Sequence, residues 1–248
     1  MMASKLILVR HGQSKWNLKN LFTGWTDVGL TKKGEMEAKE AGEIINQLDF
    51  KIDVTYTSFL KRAIHTLWII LDEIDRAWLP VHRDWRFNER HYGSLQGLDK
   101  SETTKKYGED QVHLWRRSYD IKPPELEVDD ERHPINDERY TNIDGLPASE
   151  SLATTLIRVQ ECWKETILLD LKNNKNVLLV AHGNSLRALV KMLDNISEEE
   201  ITQFNIPTGV PILYELDDNF QPISRNFLGD EENIKKAMQS VANQAKSE

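Results

Sequence analysis

The chain has 248 residues, of which 39% are apolar and 29% charged, and carries a formal net charge of −8. That is room for one large α/β domain or two small ones, with composition for a real core and an acidic balance that disfavours a general nucleic-acid binder. No apolar run approaches the ~18 residues of a membrane span and no signal h-region is present, so a cytoplasmic protein without membrane partners is expected.

In chain order, Leu6 to Val9 is an unbroken apolar run that stops at Arg10, His11 and Gly12. It reads as a core strand delivering charge at its carboxyl end, where α/β sheets keep their sites. Gly12 to Gly29 has no sustained period and reads as a long loop; its Thr23-Gly24-Trp25 triplet is either a ligand contact or a plain turn. Thr31 suits the N-cap of a helix with an apolar face of Met36, Ala41, Ile44, Ile45 and Leu48. Ile52 to Thr57 reads as a second strand, and Ser58 as the cap of a second helix carrying Leu60, Ile64, Leu67, Trp68, Leu71 and Ile74. Arg62 falls in that helix's first turn, where a cation opposes the dipole, so it is either solvated or part of an anion site.

Leu79 to Arg83 fits a short strand, and Arg86 to Gly97 is polar and irregular. Within it Glu89 is either a salt-bridge partner or a proton shuttle. Ser101 to Tyr107 follows Lys100 as a short polar helix, and at the end of His113 to Arg117 the doublet Arg116-Arg117 can reach one multiply charged ligand. Residues 120–148 are proline-rich, acidic and aperiodic, an excursion from a single domain spanning 1–248. Glu150 to Leu171 resumes a helix. The apolar run Asn176 to Val180 then ends in Ala181-His182-Gly183-Asn184-Ser185, with a helix from about Ser185. Pro211 to Leu216 and Ile223 to Leu228 read as an edge hairpin, and 230–248 as a polar helical tail, a candidate lid.

Two strands thus each present a histidine followed by glycine, and parallel neighbours would set both imidazoles at one cleft. The sequence has no His-Glu-x-x-His, cysteine cluster, Walker-type loop, Gly-x-Gly-x-x-Gly or Gly-x-Ser-x-Gly. What remains is histidine as a nucleophile toward phosphorus, with Arg10, Arg62 and, if it is protonated, His182 supplying charge without a metal and Glu89 as acid and base.

Arg10-His11-Gly12 resembles the signature of the histidine phosphatase superfamily. The wider text is similar to the 2,3-bisphosphoglycerate-dependent phosphoglycerate mutases, through Phe22-Thr23-Gly24-Trp25, Asn88-Glu89-Arg90-His91-Tyr92-Gly93, Trp115-Arg116-Arg117, Ala181-His182-Gly183-Asn184-Ser185 and Asn205-Ile206-Pro207-Thr208-Gly209. The resemblance implies a three-layer α/β/α sandwich with a mostly parallel sheet and an antiparallel edge strand. It implies interconversion of 3-phosphoglycerate and 2-phosphoglycerate, primed by 2,3-bisphosphoglycerate, with no metal. His11 is then the phosphorylated residue, His182 stabilises the transition state and Glu89 moves the proton. Arg10, Asn17, Arg62, Gly183 and Asn184 hold the transferring phosphate, while Thr23, Gly24, Tyr92, Lys100, Arg116 and Arg117 hold the other phosphate and the carboxylate. A homo-oligomer, dimer or tetramer, is expected. Gln13 departs from the commoner glutamate, and Asp99, where asparagine is common, is expected to neutralise part of the charge of Lys100.

Overall fold

The computed structural model describes residues 4–243. The strands are β1 Ser4–Arg10, β2 Val54–Thr57, β3 Val81–Arg83, β4 Val177–Ala181, β5 Pro211–Leu216 and β6 Pro222–Phe227. They form one sheet in the order β3-β2-β4-β1-β5-β6. Pairings β3/β2, β2/β4 and β4/β1 are parallel, and β5 runs antiparallel to both β1 and β6. The expected edge hairpin is therefore present, and only β5 is reversed.

The helices are α1 Lys15–Leu18, α2 Lys32–Asn46, α3 Lys61–Glu73, α4 Lys100–Tyr107, α5 Glu109–Arg117, α6 Leu152–Cys162, α7 Leu168–Lys172, α8 Gly183–Leu193, α9 Glu198–Gln203 and α10 Glu231–Asn243. A π-helical stretch, Trp163–Ile167, joins α6 to α7. Alternate residues of a strand point to opposite faces, so the unbroken run in β1 requires cover on both. Leu6 and Leu8 pack with residues of α6 and α8, such as Val159 and Leu189, while Ile7 and Val9 pack with residues of α2 and α3, such as Ala41 and Leu67. These are the three layers.

Several local expectations change. Gly12 to Gly29 is not wholly loop: Ser14 caps α1 in a box with Asn17. In α2 the buried positions include Ala38, Ala41 and Ile45, whereas Met36 is exposed. In α3 Trp68 is half exposed and Ile70 is buried in its stead. The N-cap of α3 is Leu60, not Ser58, and it makes no side-chain cap. α8 begins two residues before Ser185, with His182 as its N-cap. Residues 120–148 contain only two short 3-10 turns, Pro134–Asn136 and Glu138–Tyr140. Within the proposed lid, 244–248 lie outside the described residues. Among the described residues, no helix is long and apolar enough to cross a membrane.

Candidate active site

In the β1/β4 pairing Arg10 lies opposite Ala181, so the next residue of each strand is His11 and His182. Equal register at adjacent parallel strand ends brings the rings together, edge to face, with centroids 4.9 Å apart. The loop that leaves β1 passes tightly over the start of α2. A Cβ on Gly12 would meet Gly34 O at 2.1 Å, and one on Gly34 would meet Gln13 O at 2.2 Å. Gln13 serves this join: its Oε1 accepts from Thr31 Oγ1 at 2.9 Å and its N–H donates to Glu37 Oε2 at 2.7 Å.

His11 Nδ1 lies 2.7 Å from Gly12 O, a contact that only an N–H can make favourably, so Nδ1 carries the proton and Nε2 the lone pair. Arg62 Nε donates toward that Nε2 at 3.3 Å. Burial first, then the cations Arg62 and Arg10, hold the His11 pKa well below the ordinary imidazole value. The ring is neutral at neutral pH, with its Nε2 lone pair beside Arg62. His182 is likewise lowered, by burial, Arg62 and His11, which settles the protonation state left open by the sequence in favour of the neutral ring. Its Nε2 lies 2.7 Å from Ser58 Oγ, which occupies the hydroxyl expected to cap α3.

Arg62, in the first turn of α3, is buried and reaches two carbonyls, Thr26 O at 3.0 Å and Gly24 O at 2.7 Å. Burial lowers its pKa to about 10, leaving it charged. Arg10 Nη1 donates to Ile206 O at 2.7 Å. Glu89 Oε1 accepts from the N–H groups of Arg90 at 2.8 Å and Asn184 at 3.0 Å, the latter in the first turn of α8.

The far side of the cleft is built from Tyr92, Lys100, Arg116 and Arg117. The arginine doublet ends α5, where cations complement the helix dipole. Arg90 Nη2 donates to the carbonyls of Trp115 and Arg116 at 3.1 and 2.9 Å and stacks 4.6 Å over Tyr92. Arg117 Nη1 donates to Asn205 Oδ1 at 2.8 Å. Burial, then Arg116 and Arg10, push the Lys100 pKa down to about 7. Asp99 opposes this by its charge, but its carboxylate is spent as the N-cap of α4, accepting from Ser101 N at 2.8 Å and Glu102 N at 2.9 Å.

Arg10, His11, Asn17, Thr23, Gly24, Arg62, Glu89, Tyr92, Lys100, Arg116, Arg117, Gly183 and Asn184 all line this one cleft. His182 sits behind His11, fully buried. Gly24 has φ +51°, and a Cβ there would meet Gln96 Oε1 at 2.0 Å, so a larger residue would be strained and would displace the Gln96 side chain. Among the described residues, none after Ile206 lines the cleft. Five lining residues were given no role from sequence: Leu21, Phe22, Arg187, Asn205 and Ile206, of which Phe22, Asn205 and Ile206 lie within the quoted motifs. An arginine between Leu186 and Ala188 on a buried helix face was the available signal for Arg187. Asn205 and Ile206 come close only through tertiary structure.

Among solved structures, the chain resembles the α-ribazole phosphatase of Shigella flexneri, with a TM-score of 0.67 and 21% identity over 91% of this chain and 96% of that one. A mycobacterial glucosyl-3-phosphoglycerate phosphatase, solved with VO3, gives 0.68 and 21% over 91% and 97%. YhfR of Bacillus stearothermophilus gives 0.66 and 21% over 89% and 94%. These likenesses extend the fold. The family profile described as histidine phosphatase superfamily (branch 1) matches residues 6–133 and 127–225, which span both strand-end histidines and Glu89. With its paired imidazoles seated between buried arginines, the chain belongs to branch 1 of the histidine phosphatase superfamily.

Proposed function

We propose that the chain transfers phosphoryl groups through a phosphohistidine at His11 and works as a phosphoglycerate mutase, interconverting 3-phosphoglycerate and 2-phosphoglycerate after priming by 2,3-bisphosphoglycerate. The observation that carries this reading is the second set of cations: Lys100, Arg116 and Arg117 line the same cleft as His11, Arg10 and Arg62. One set serves to remove a phosphoryl group. A second set retains the other anionic end of a small ligand while it turns over. Arg10 Nε is a buried donor without a protein partner, which suits a polyanionic guest.

When bound, 2,3-bisphosphoglycerate supplies the phosphoryl group that first loads His11. In loading, His11 Nε2 bonds to phosphorus, the P–O bond to the departing oxygen breaks, and that oxygen takes a proton from Glu89. In the return step a substrate hydroxyl gives its proton to Glu89 and attacks phosphorus, and the N–P bond breaks to restore neutral His11. Arg10, Arg62 and the N-terminus of α8 face the charge spread over the equatorial oxygens, the main catalytic need of such a transfer.

A second reading, a phosphatase of a small phosphorylated metabolite, is favoured by the fold likeness to two phosphatases of that kind. Water then replaces the substrate hydroxyl as acceptor. With 3-phosphoglycerate and 2,3-bisphosphoglycerate present, isomerisation is expected to outrun release of inorganic phosphate. Phosphorus NMR should show an acid-labile phosphohistidine in the wild type and none in His11→Ala. Phosphate release faster than isomerisation would assign the phosphatase instead, and no phosphohistidine in either protein would leave a binder without catalysis.

A further inference from the structure

We infer that Arg187 is a positioning residue, which turns the side-chain amide of Asn184 so that its NH2 group, and not its oxygen, faces the anion-binding cleft. The inference rests on the phosphoryl-transfer reading above and adds to it a residue outside the two cation sets.

Arg187 stands three residues after Asn184, one turn along α8, and is 5% exposed. Its Nη1 donates to Asn184 Oδ1 at 2.9 Å, and its Nη2 donates to Ile201 O at the end of α9. A guanidinium has donors only, so the amide atom facing it must be the oxygen. The orientation of Asn184 is thereby fixed by chemistry: Oδ1 points back to Arg187, and Nδ2 points to the cleft side, 3.3 Å from Tyr92 Oη. The backbone N–H of the same residue donates to Glu89 Oε1 at 3.0 Å. One residue therefore joins the proton carrier to an anion-facing donor, and Arg187 determines which way that donor points.

Without the arginine, the amide can rotate by half a turn and offer its oxygen to a phosphoryl oxygen, which is repulsive. The fold bears a cost for this arrangement. Leu186, Ala188 and Leu189 beside it are buried and apolar, so a neutral side chain would suit the helix. Burial, followed by the charges of Arg117 and Arg90, pushes the Arg187 pKa down to about 9, still cationic at neutral pH.

The test is a double-mutant cycle with Arg187→Met and Asn184→Ala, read by orthovanadate binding in titration calorimetry and by steady-state turnover. Arg187→Met is expected to weaken vanadate binding and lower kcat roughly 10-fold, the scale of one charge-assisted hydrogen bond, with KM for 3-phosphoglycerate changed less than about 3-fold. In the Asn184→Ala background the same change should have almost no further effect. Full additivity of the two losses, or a loss confined to KM, would overturn the proposal. Should Arg187→Met fail to fold, Arg187→Lys takes its place in the cycle. It keeps the charge but cannot span both acceptors, and its loss too must vanish once Asn184 is alanine. A wild type that forms no phosphohistidine would defeat the functional reading alone, because the vanadate cycle reads the coupling of Arg187 and Asn184 without turnover.

Discussion

Lys100 has the most consequential charge in the cleft, because its pKa lies near working pH. Burial and the neighbouring cations Arg116 and Arg10 lower it to about 7, so in the free protein the ammonium is largely lost as pH rises through that value. His11 is depressed in the same direction but from the other side: it is already neutral at pH 7 and sets no alkaline limit. The expectation is that kcat/KM, which reports the free enzyme, falls several-fold between about pH 7 and ~8.5. Lys100→Arg should move that fall to higher pH, since a guanidinium keeps its proton, and Lys100→Met should flatten the profile at a lower level. An unchanged alkaline limb in both variants would show that another group controls it. Measurement needs only initial rates with 3-phosphoglycerate across a buffer series at fixed ionic strength.

At the scale of elements, the site depends on how α6 holds the irregular stretch around Glu89. Arg158, in α6, donates to the carbonyls of Arg86 at 2.6 Å, Asn88 at 3.0 Å and Glu89 at 3.0 Å. Glu150, just before that helix, pairs with Arg158 at 2.6 Å and accepts from His91 N at 2.8 Å. Both side chains are buried, so removing one partner leaves an uncompensated charge. Glu150→Ala is expected to cost about 3–5 kcal/mol in urea unfolding and to lower kcat by displacing Glu89. A stability loss under ~1 kcal/mol would mean that the pair is dispensable.

What could be read from sequence also divides at this scale. The apolar runs of β1 and β4 and the periodic helices were legible because a strand covered on both faces leaves a continuous local pattern. The pairing of His11 with His182 followed from equal positions at strand ends. The expected faces of α2 and α3 are buried or half-buried except at Met36 and Trp68, and the two helices meet through small residues: a Cβ on Gly42 would lie 2.6 Å from Glu73 Cβ. Close approach there favours Ala38 and Ala41 and turns Met36 outward. Ser58 looked like a cap by type, yet its hydroxyl is committed to His182, a partner 124 positions away. Ser197, which no apolar period marks out, is the N-cap of α9 in a box with Glu200. Arg187 was obscured by the apolar helix around it.

Over the whole molecule, the neutral state of the buried histidines links the site to global stability. His11 and His182 are held well below the usual imidazole value, and His91 is pushed down to about 3 by burial and then by the charges of His133 and Arg158. In the unfolded chain each returns to about 6.5 and binds a proton more readily than in the native fold. The unfolded state therefore holds more protons below that value, and stability must fall with falling pH. The stabilisation is present above the unfolded value of about 6.5 and is lost progressively on acidification below it, before most carboxylates titrate. Urea midpoints in anion-poor buffers at about pH 7.5 and about pH 5.5 check this. His11→Gln should reduce the difference, whatever its effect on the absolute midpoint, because one titrating ring has gone. Equal midpoints at the two pH values would show that these imidazoles take up protons as readily in the native fold as in the unfolded chain, and the depressed pKa argued for His11 would be wrong.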